Sequence, residues 1–214
     1  MNILGVIPAR LESTRMPRKV LREIGGVPMV VYVFRRAQGC RLLSDLLVAT
    51  DSDEVVEACH AHHVPAVLTS SAHRSGTDRV WEVSRARVAD VYVNVQGDEP
   101  LVTTGHIESL VRPFLNEPEV QVTTLKIRAT PEEVPTRTAN KVVTNRHGDA
   151  LYFSRLPIPC DRDERGSVTY VTATSPGNRC FTTGALTQPV DVIRLPQGLE
   201  PMAFQRQAVV RDCP

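Results

Sequence analysis

The sequence predicts a single α/β domain, doubly wound on a mostly parallel sheet. Two observations carry that expectation. Short, wholly apolar runs recur along the chain, and stretches with helical spacing lie between them. Strands buried on both faces belong to parallel sheets covered by helices, and regular alternation of strand and helix produces the doubly wound arrangement.

Taken in order, residues 3–7, 46–49 and 91–95 are the first three strands. Each is too short for a helix, rich in aliphatic or β-branched residues, and followed at once by polar or glycine-bearing sequence. Residues 28–38 read as a helix because Met29, Val30, Val33 and Phe34 form one stripe. A second helix, 52–62, opens on Ser52, Asp53 and Glu54, which suit a helix N-terminus, and continues through Val55, Val56 and Cys59. Residues 77–88 carry Val80, Val83 and Ala86, and residues 104–115 carry Ile107, Leu110 and Val111. Strands follow at 120–127 and 141–144, with a Pro- and Thr-rich connection over 129–138. Beyond about residue 165 the periodicity fades. The chain therefore divides into a core, 1–165, and a tail, 166–214, whose Thr, Pro and Gly content resembles that of disordered segments.

Composition narrows the function. At 214 residues the chain is long enough to bury a full core without staples. Its 25 Lys plus Arg nearly balance 24 Asp plus Glu, which argues against a general grip on nucleic acid. The cysteines (Cys40, Cys59, Cys160, Cys180 and Cys213) are odd in number and contain no C-x-x-C pair, as expected of reduced thiols in a cytoplasmic protein. The apolar start is too short for a signal segment, and no run approaches a membrane span.

Right-handed crossovers bring the carboxyl ends of parallel strands to one rim, where ligands bind, so residues after each strand are read for chemistry. The first strand runs into a loop with Arg10, Arg15, Arg18 and Lys19 around Ser13 and Thr14. Cations interleaved with hydroxyls and backbone amides suit a polyphosphate. The pattern is neither Gly-x-Gly-x-x-Gly nor a Walker loop, which disfavours hydride transfer and ATP hydrolysis.

After the third strand comes Gln96-Gly97-Asp98-Glu99-Pro100. Gly97 is expected to permit a tight turn and Asp98 to serve as a hard oxygen ligand for Mg2+, which is usually held by one or two carboxylates plus phosphate oxygens. Taken in isolation, the same residues would be a turn former and a surface glutamate. The segment His73-Arg74-Ser75-Gly76-Thr77-Asp78-Arg79 leads into a helix; Ser75 and Gly76 suit a nucleoside contact, Thr77 an N-cap, and His73 a structural role. His60, His62 and His63 are expected at the surface. Arg155, in Tyr152-Phe153-Ser154-Arg155-Leu156-Pro157, suits a bidentate grip on a carboxylate, whereas Cys160 lacks an activating neighbour.

These segments together resemble the CMP-Kdo synthetases, the 3-deoxy-manno-octulosonate cytidylyltransferases. The matching stretches are IPARLESTRMPRKVL, GGVPMV, VATDSDEV, HRSGTDR, NVQGDEPL, NKVV and ALYFSRLPIPCDRD, in the family's order up to about residue 163. The opening loop is shared with other sugar nucleotidyltransferases, whereas NVQGDEPL with YFSRLPIP is more selective. The resemblance implies a Rossmann-like, nucleotide-diphospho-sugar-transferase-like fold. It also implies transfer of CMP from CTP to Kdo with release of pyrophosphate, Mg2+ as cofactor, no membrane partner, and a homodimer. By carry-over, Ala9, Arg10, Arg15, Lys19, Ser75 and Gly76 bind nucleotide, and Lys19 and Asp98 are catalytic. Asp98 holds the metal, and Gln96 and Arg155 touch Kdo.

Two positions depart from the family pattern: Arg18 stands where Gly is usual, and Cys160 where an aromatic residue is common. The family's later His/Tyr strand, its Glu/Leu/Gln helix and its second metal aspartate have no counterpart in residues 168–214. That stretch has the look of sequence read in a shifted frame. Weak CTP binding with little turnover is the expectation for such a chain, because a missing metal carboxylate removes transition-state charge stabilisation.

Overall fold

The structure is a computed structural model, and it describes residues 1–12, 16–157, 171–173, 192–194 and 208–212. The chain opens with β1 (Ile3–Ala9), and a 3-10 turn (Lys19–Leu21) follows the loop. A short ribbon of β2 (Glu23–Ile24) and β3 (Val27–Pro28) comes next. Its two-residue turn needs left-handed backbone at both positions, which Gly25 (φ 59°) and Gly26 (φ 79°) supply. The ribbon leads into α1 (Met29–Ala37), β4 (Asp45–Thr50), α2 (Asp53–Ala61), β5 (Ala66–Leu68), α3 (Gly76–Ala86), β6 (Val91–Asn94) and α4 (Thr104–Asn116). Then come β7 (Val122–Arg128), β8 (Asn140–Thr144), β9 (Ala150–Ser154), β10 (Val171–Ala173), β11 (Val192–Arg194) and β12 (Ala208–Asp212).

The sheet runs β5-β4-β1-β6-β11-β7-β10-β8-β9, with β12 pairing on β7. Its first four strands are all parallel, and the pairings of β8 through β11 are antiparallel. The three expected core strands are β1, β4 and β6, and the four expected helices appear within two residues of their predicted ends. The β2–β3 ribbon and β5 have too few residues to show periodicity. In the tail, β10, β11 and β12 join the sheet where the sequence supports no definite element.

Alternation along the strands sorts two cores. Ile3 and Ile7 of β1, Leu46 and Val48 of β4, and Val91 and Val93 of β6 face α1, α2 and α4. Leu4 and Val6, Leu47 and Ala49, and Tyr92 point the other way, onto Val80 and Val83 of α3. Because both faces are covered, the strands read as continuous apolar runs. Burying one such aliphatic side chain stabilises by about 1.5–3 kcal/mol.

This topology places the site. The chain moves from β1 outward to β4 and β5, then returns across β1 to lay down β6 on its other side. The reversal of direction between β1 and β6 opens a crevice at their carboxyl ends, the position where open α/β sheets bind ligands.

Candidate active site

Four chain segments meet at that crevice. The end of β1 supplies Ala9 and Arg10. Ala9 is buried, and Arg10 is half-exposed. The loop that follows is closed by a hydrogen bond from the Arg18 N–H to the Leu11 carbonyl, 3.2 Å. Arg15, expected to bind phosphate, lies outside the described residues.

Lys19 begins the 3-10 turn that ends this loop. Its Nζ donates to Asp98 Oδ2 at 2.8 Å, and both side chains are about one-fifth exposed (20% and 19%). The cation and the carboxylate expected to share a nucleotide's phosphates therefore stand together, 79 positions apart in sequence.

Residues 96–98 come so close to β1 that only glycine fits at the centre. The Gly97 N–H donates to the Pro8 carbonyl at 3.3 Å, and a Cβ on Gly97 would lie 2.9 Å from that oxygen and 3.3 Å from Ala9 Cβ. The tight turn expected at Gly97 is present, with the Glu99 N–H donating to the Gln96 carbonyl at 3.1 Å, and it needs no left-handed backbone there: the described glycines with positive φ are Gly25, Gly26 and Gly148. Close backbone approach is the actual requirement. Gln96 is buried and donates to Asn94 Oδ1 at 3.0 Å. Glu99 is 1% exposed, so it is no surface charge. The downstream stem of this turn is pinned by Arg36 of α1, whose Nε donates to the Val102 carbonyl at 2.7 Å.

The N-terminus of α3 completes the rim. Ser75, rather than Thr77, is the N-cap: its Oγ accepts from the Asp78 N–H at 3.1 Å, and Asp78 Oδ2 accepts from the Ser75 N–H at 2.9 Å. This reciprocal capping box satisfies two backbone donors that a bare helix end would leave open. Asp78 is held below the usual carboxylate range: burial pushes it up, but hydrogen bonds from the Ser75 side chain and from the Ser75 and Arg74 backbone outweigh it. Gly76 wedges in close, since a Cβ there would lie 3.0 Å from Pro8 Cγ and 3.5 Å from Gln96 Nε2. Ser75, Gly76, Gln96 and the end of β1 thus form one continuous surface.

His73 pairs with Glu82, which also accepts the Ser70 N–H at 2.9 Å, so this histidine fastens the approach to α3. His60 and His63 are exposed and His62 half-buried. Among the described cysteines, Cys40 and Cys59 are buried free thiols, and burial raises the Cys59 pKa to about 11.

Arg155 is not brought to this crevice. It is exposed, just past β9, and four strands stand between β9 and β6 in the sheet order. Its carbonyl is tied down instead. Lys141, fully buried in β8, donates to the carbonyls of Arg155 at 2.9 Å, Ala139 at 3.1 Å and also Thr136.

Sequence reasoning missed two functional candidates, Asp51 and Arg79. Arg79 is fully buried and donates through Nη2 to Asp51 Oδ2 at 2.9 Å. The signal was present, because Arg79 falls four residues before Val83 on the apolar stripe of α3, and Asp51 follows β4 directly at the rim.

A β1–β6 crevice lined by a cationic loop, one carboxylate and a capped helix end defines an α/β nucleotidyltransferase-type site. The chain matches the Cytidylyltransferase family over residues 4–189. It is 50% identical over 170 residues to the 3-deoxy-manno-octulosonate cytidylyltransferase of Acidobacterium capsulatum, covering 79% of this chain and 69% of that one. For the same enzyme of Koribacter versatilis the identity is 52% over 170 residues, 79% of this chain and 64% of that one. A solved CMP:2-keto-3-deoxy-manno-octonic acid synthetase complexed with CTP superposes with a TM-score of 0.80 at 34% identity, covering 91% of this chain and 74% of that one. The chain belongs to the cytidylyltransferase family, within its 3-deoxy-manno-octulosonate (CMP-Kdo synthetase) group. It spans about two thirds of the length of these two relatives, 69% and 64%. Among the described residues, no helix is long and apolar enough to cross a membrane.

Proposed function

We propose that this chain binds CTP in the β1–β6 crevice and transfers its CMP group to Kdo, releasing pyrophosphate. The single observation that carries the reading is the Lys19–Asp98 contact at the crevice, in a chain about 50% identical to Kdo cytidylyltransferases. Arg10 and Lys19 neutralise the triphosphate, and the α3 N-terminus with Ser75 and Gly76 meets the nucleoside. Gln96 faces the sugar acid. Such a site works mainly by positioning the reactants and compensating charge.

Mg2+ fits this arrangement. Among the described residues no group of three or more His, Cys, Asp or Glu forms a metal cage. Asp98 is nonetheless a rim carboxylate already holding a cation, and magnesium typically takes one or two carboxylates plus phosphate oxygens. When bound, the ion would neutralise charge on the transferring phosphoryl group. Asp98 would hold that ion, and Lys19, now on Asp98, would be the cation nearest the phosphates.

Arg155, expected to grip a sugar carboxylate, has no part in this reading, because it stands at the β9 edge, away from the crevice. A homodimer is proposed at the β9 edge, where Leu151 (64% exposed), Tyr152 (61%), Phe153 and Leu156 present apolar surface. Light scattering in solution tests it.

The deciding experiment is calorimetry with CTP and Mg2+, followed by a pyrophosphate-release assay with Kdo. Weak CTP binding and slow Kdo-dependent release are expected, since residues 168–214 hold no counterpart of the second metal aspartate. Binding without release would favour a nucleotide-binding chain without transfer, a reading supported by the missing counterpart of the second metal aspartate in residues 168–214. Absence of binding would overturn both.

A further inference from the structure

One carboxylate links the cationic loop to the helix that faces the nucleoside. Asp51 uses its two oxygens separately. Oδ2 takes the Arg79 guanidinium at 2.9 Å, and Oδ1 accepts the Leu11 N–H at 3.4 Å. Leu11 in turn accepts the Arg18 N–H, which closes the loop, and the Arg18 side chain pairs with Glu54 on α2. Both stems of the loop are therefore fastened to the β4–α2 junction.

Arg79 fixes the other side. It sits one turn into α3, four residues after the Ser75 cap, and its Nη1 reaches Thr69 Oγ1 and, at 3.5 Å, the Ser70 carbonyl beyond β5, while its buried Nε has no hydrogen-bond partner among the described residues. The guanidinium is fully buried, while Asp51 keeps 17% of its side chain exposed at the rim. Buried ion pairs contribute little net stability, because desolvation offsets most of the attraction. A fork-shaped cation with fixed donors is, however, well suited to holding several elements in one geometry.

We propose that Asp51 and Arg79 are positioning residues for nucleotide binding, setting the cationic loop in register with the N-terminus of α3. Neither needs to touch the nucleotide. Asp51 acts through the Leu11 amide, and Arg79 acts by orienting Asp51. The proposal rests on the CTP-binding reading above and adds a specific tether to it.

Two double variants separate position from stability. Asp51→Asn with Arg79→Met removes both charges but keeps a side-chain carbonyl for Leu11. Asp51→Leu with Arg79→Met removes the charges and that acceptor as well. The two are expected to melt within a few degrees of each other. The Leu variant should bind CTP with Mg2+ about three- to tenfold more weakly, the worth of one hydrogen bond. Amide exchange at Leu11 and Arg18 should be faster in it. Equal affinity together with equal exchange would overturn the proposal and leave the pair a structural one.

If the unmodified chain binds no CTP, the functional reading fails, and exchange at Leu11 and Arg18 still decides the tether. Should neither double variant fold, Arg79→Lys serves instead. Its ammonium keeps the charge but lacks the planar fork, so CTP affinity and Leu11 protection should fall together. Wild-type values for both would overturn the proposal.

Discussion

Lys19 and Asp98 form a 2.8 Å ion pair that joins the 3-10 turn after the β1 loop to the turn that follows β6. Each is four-fifths covered by the rim, so solvent screens the pair only in part. Under the proposed function, Asp98 would exchange this cation for a divalent ion when CTP binds. Asp98→Asn keeps the shape and removes the charge. It is expected to lower CMP transfer by about 10²-fold or more and to abolish the Mg2+ dependence of CTP binding. Lys19→Met should weaken CTP binding while leaving Mg2+ dependence in place. Isothermal titration at several Mg2+ concentrations reads both.

Gly97→Ala probes the close approach of the two strands. Its Cβ would fall 2.9 Å from the Pro8 carbonyl, which is backbone and cannot swing away. The cost is expected to be about 1–3 kcal/mol, as for other overpacked sites, with loss of CTP affinity as Asp98 moves from Lys19. Thermal melting and calorimetry on one preparation check the pair of effects.

Arg18 has φ 56°, in the left-handed region where a side chain is costly and glycine is not. The family's usual glycine at this position has a physical reason here. Arg18→Gly should raise stability by up to about 1 kcal/mol, since relieved strain exceeds the loss of an exposed pair with Glu54. Chemical denaturation would show it; a less stable glycine variant would mean that the Glu54 contact matters more than the strain.

His106 supplies a pH prediction. The Thr103 N–H donates to its Nδ1 at 3.2 Å inside the capping box of α4. Burial first, and the Arg36 charge second, push this histidine below its ordinary range. The folded state therefore takes up the proton less readily than the unfolded chain. Its contribution is complete above the ordinary histidine pKa of about 6.5 and is lost progressively as pH falls below it. His106→Gln keeps a capping-box side chain without the titration, so its melting temperature should vary less between pH 7 and 5.

Much of the parallel half was legible because its strands are buried on both faces and its helices on one. Ile3, Leu46 and Val91 advertise that burial through apolar runs, and Val80 with Val83 through helical spacing. The site was legible where function concentrates unlike residues in one short segment, as in the loop leading to Lys19 or in Gln96-Gly97-Asp98. It was not legible where a residue's role depends on a distant partner. Arg79 looks like any charged residue near a helix start until Asp51, 28 positions earlier, is placed against it. Thr77 was the expected cap of α3, and only the reciprocal bonds with Asp78 give that place to Ser75.

Local chemistry along the chain thus determined the alternating elements and the family resemblance, and it singled out Lys19 and Asp98 as a candidate cation and carboxylate. Periodicity and residue type express burial and charge within a few neighbours, so they survive in one dimension. The tertiary structure decided which of these groups meet. It brought Lys19 to Asp98, fitted Gly97 against Pro8, tied Leu11 to Arg79 through Asp51, and left Arg155 at the far edge of the sheet. Those contacts follow from strand order, and strand order is set by packing summed over the whole domain.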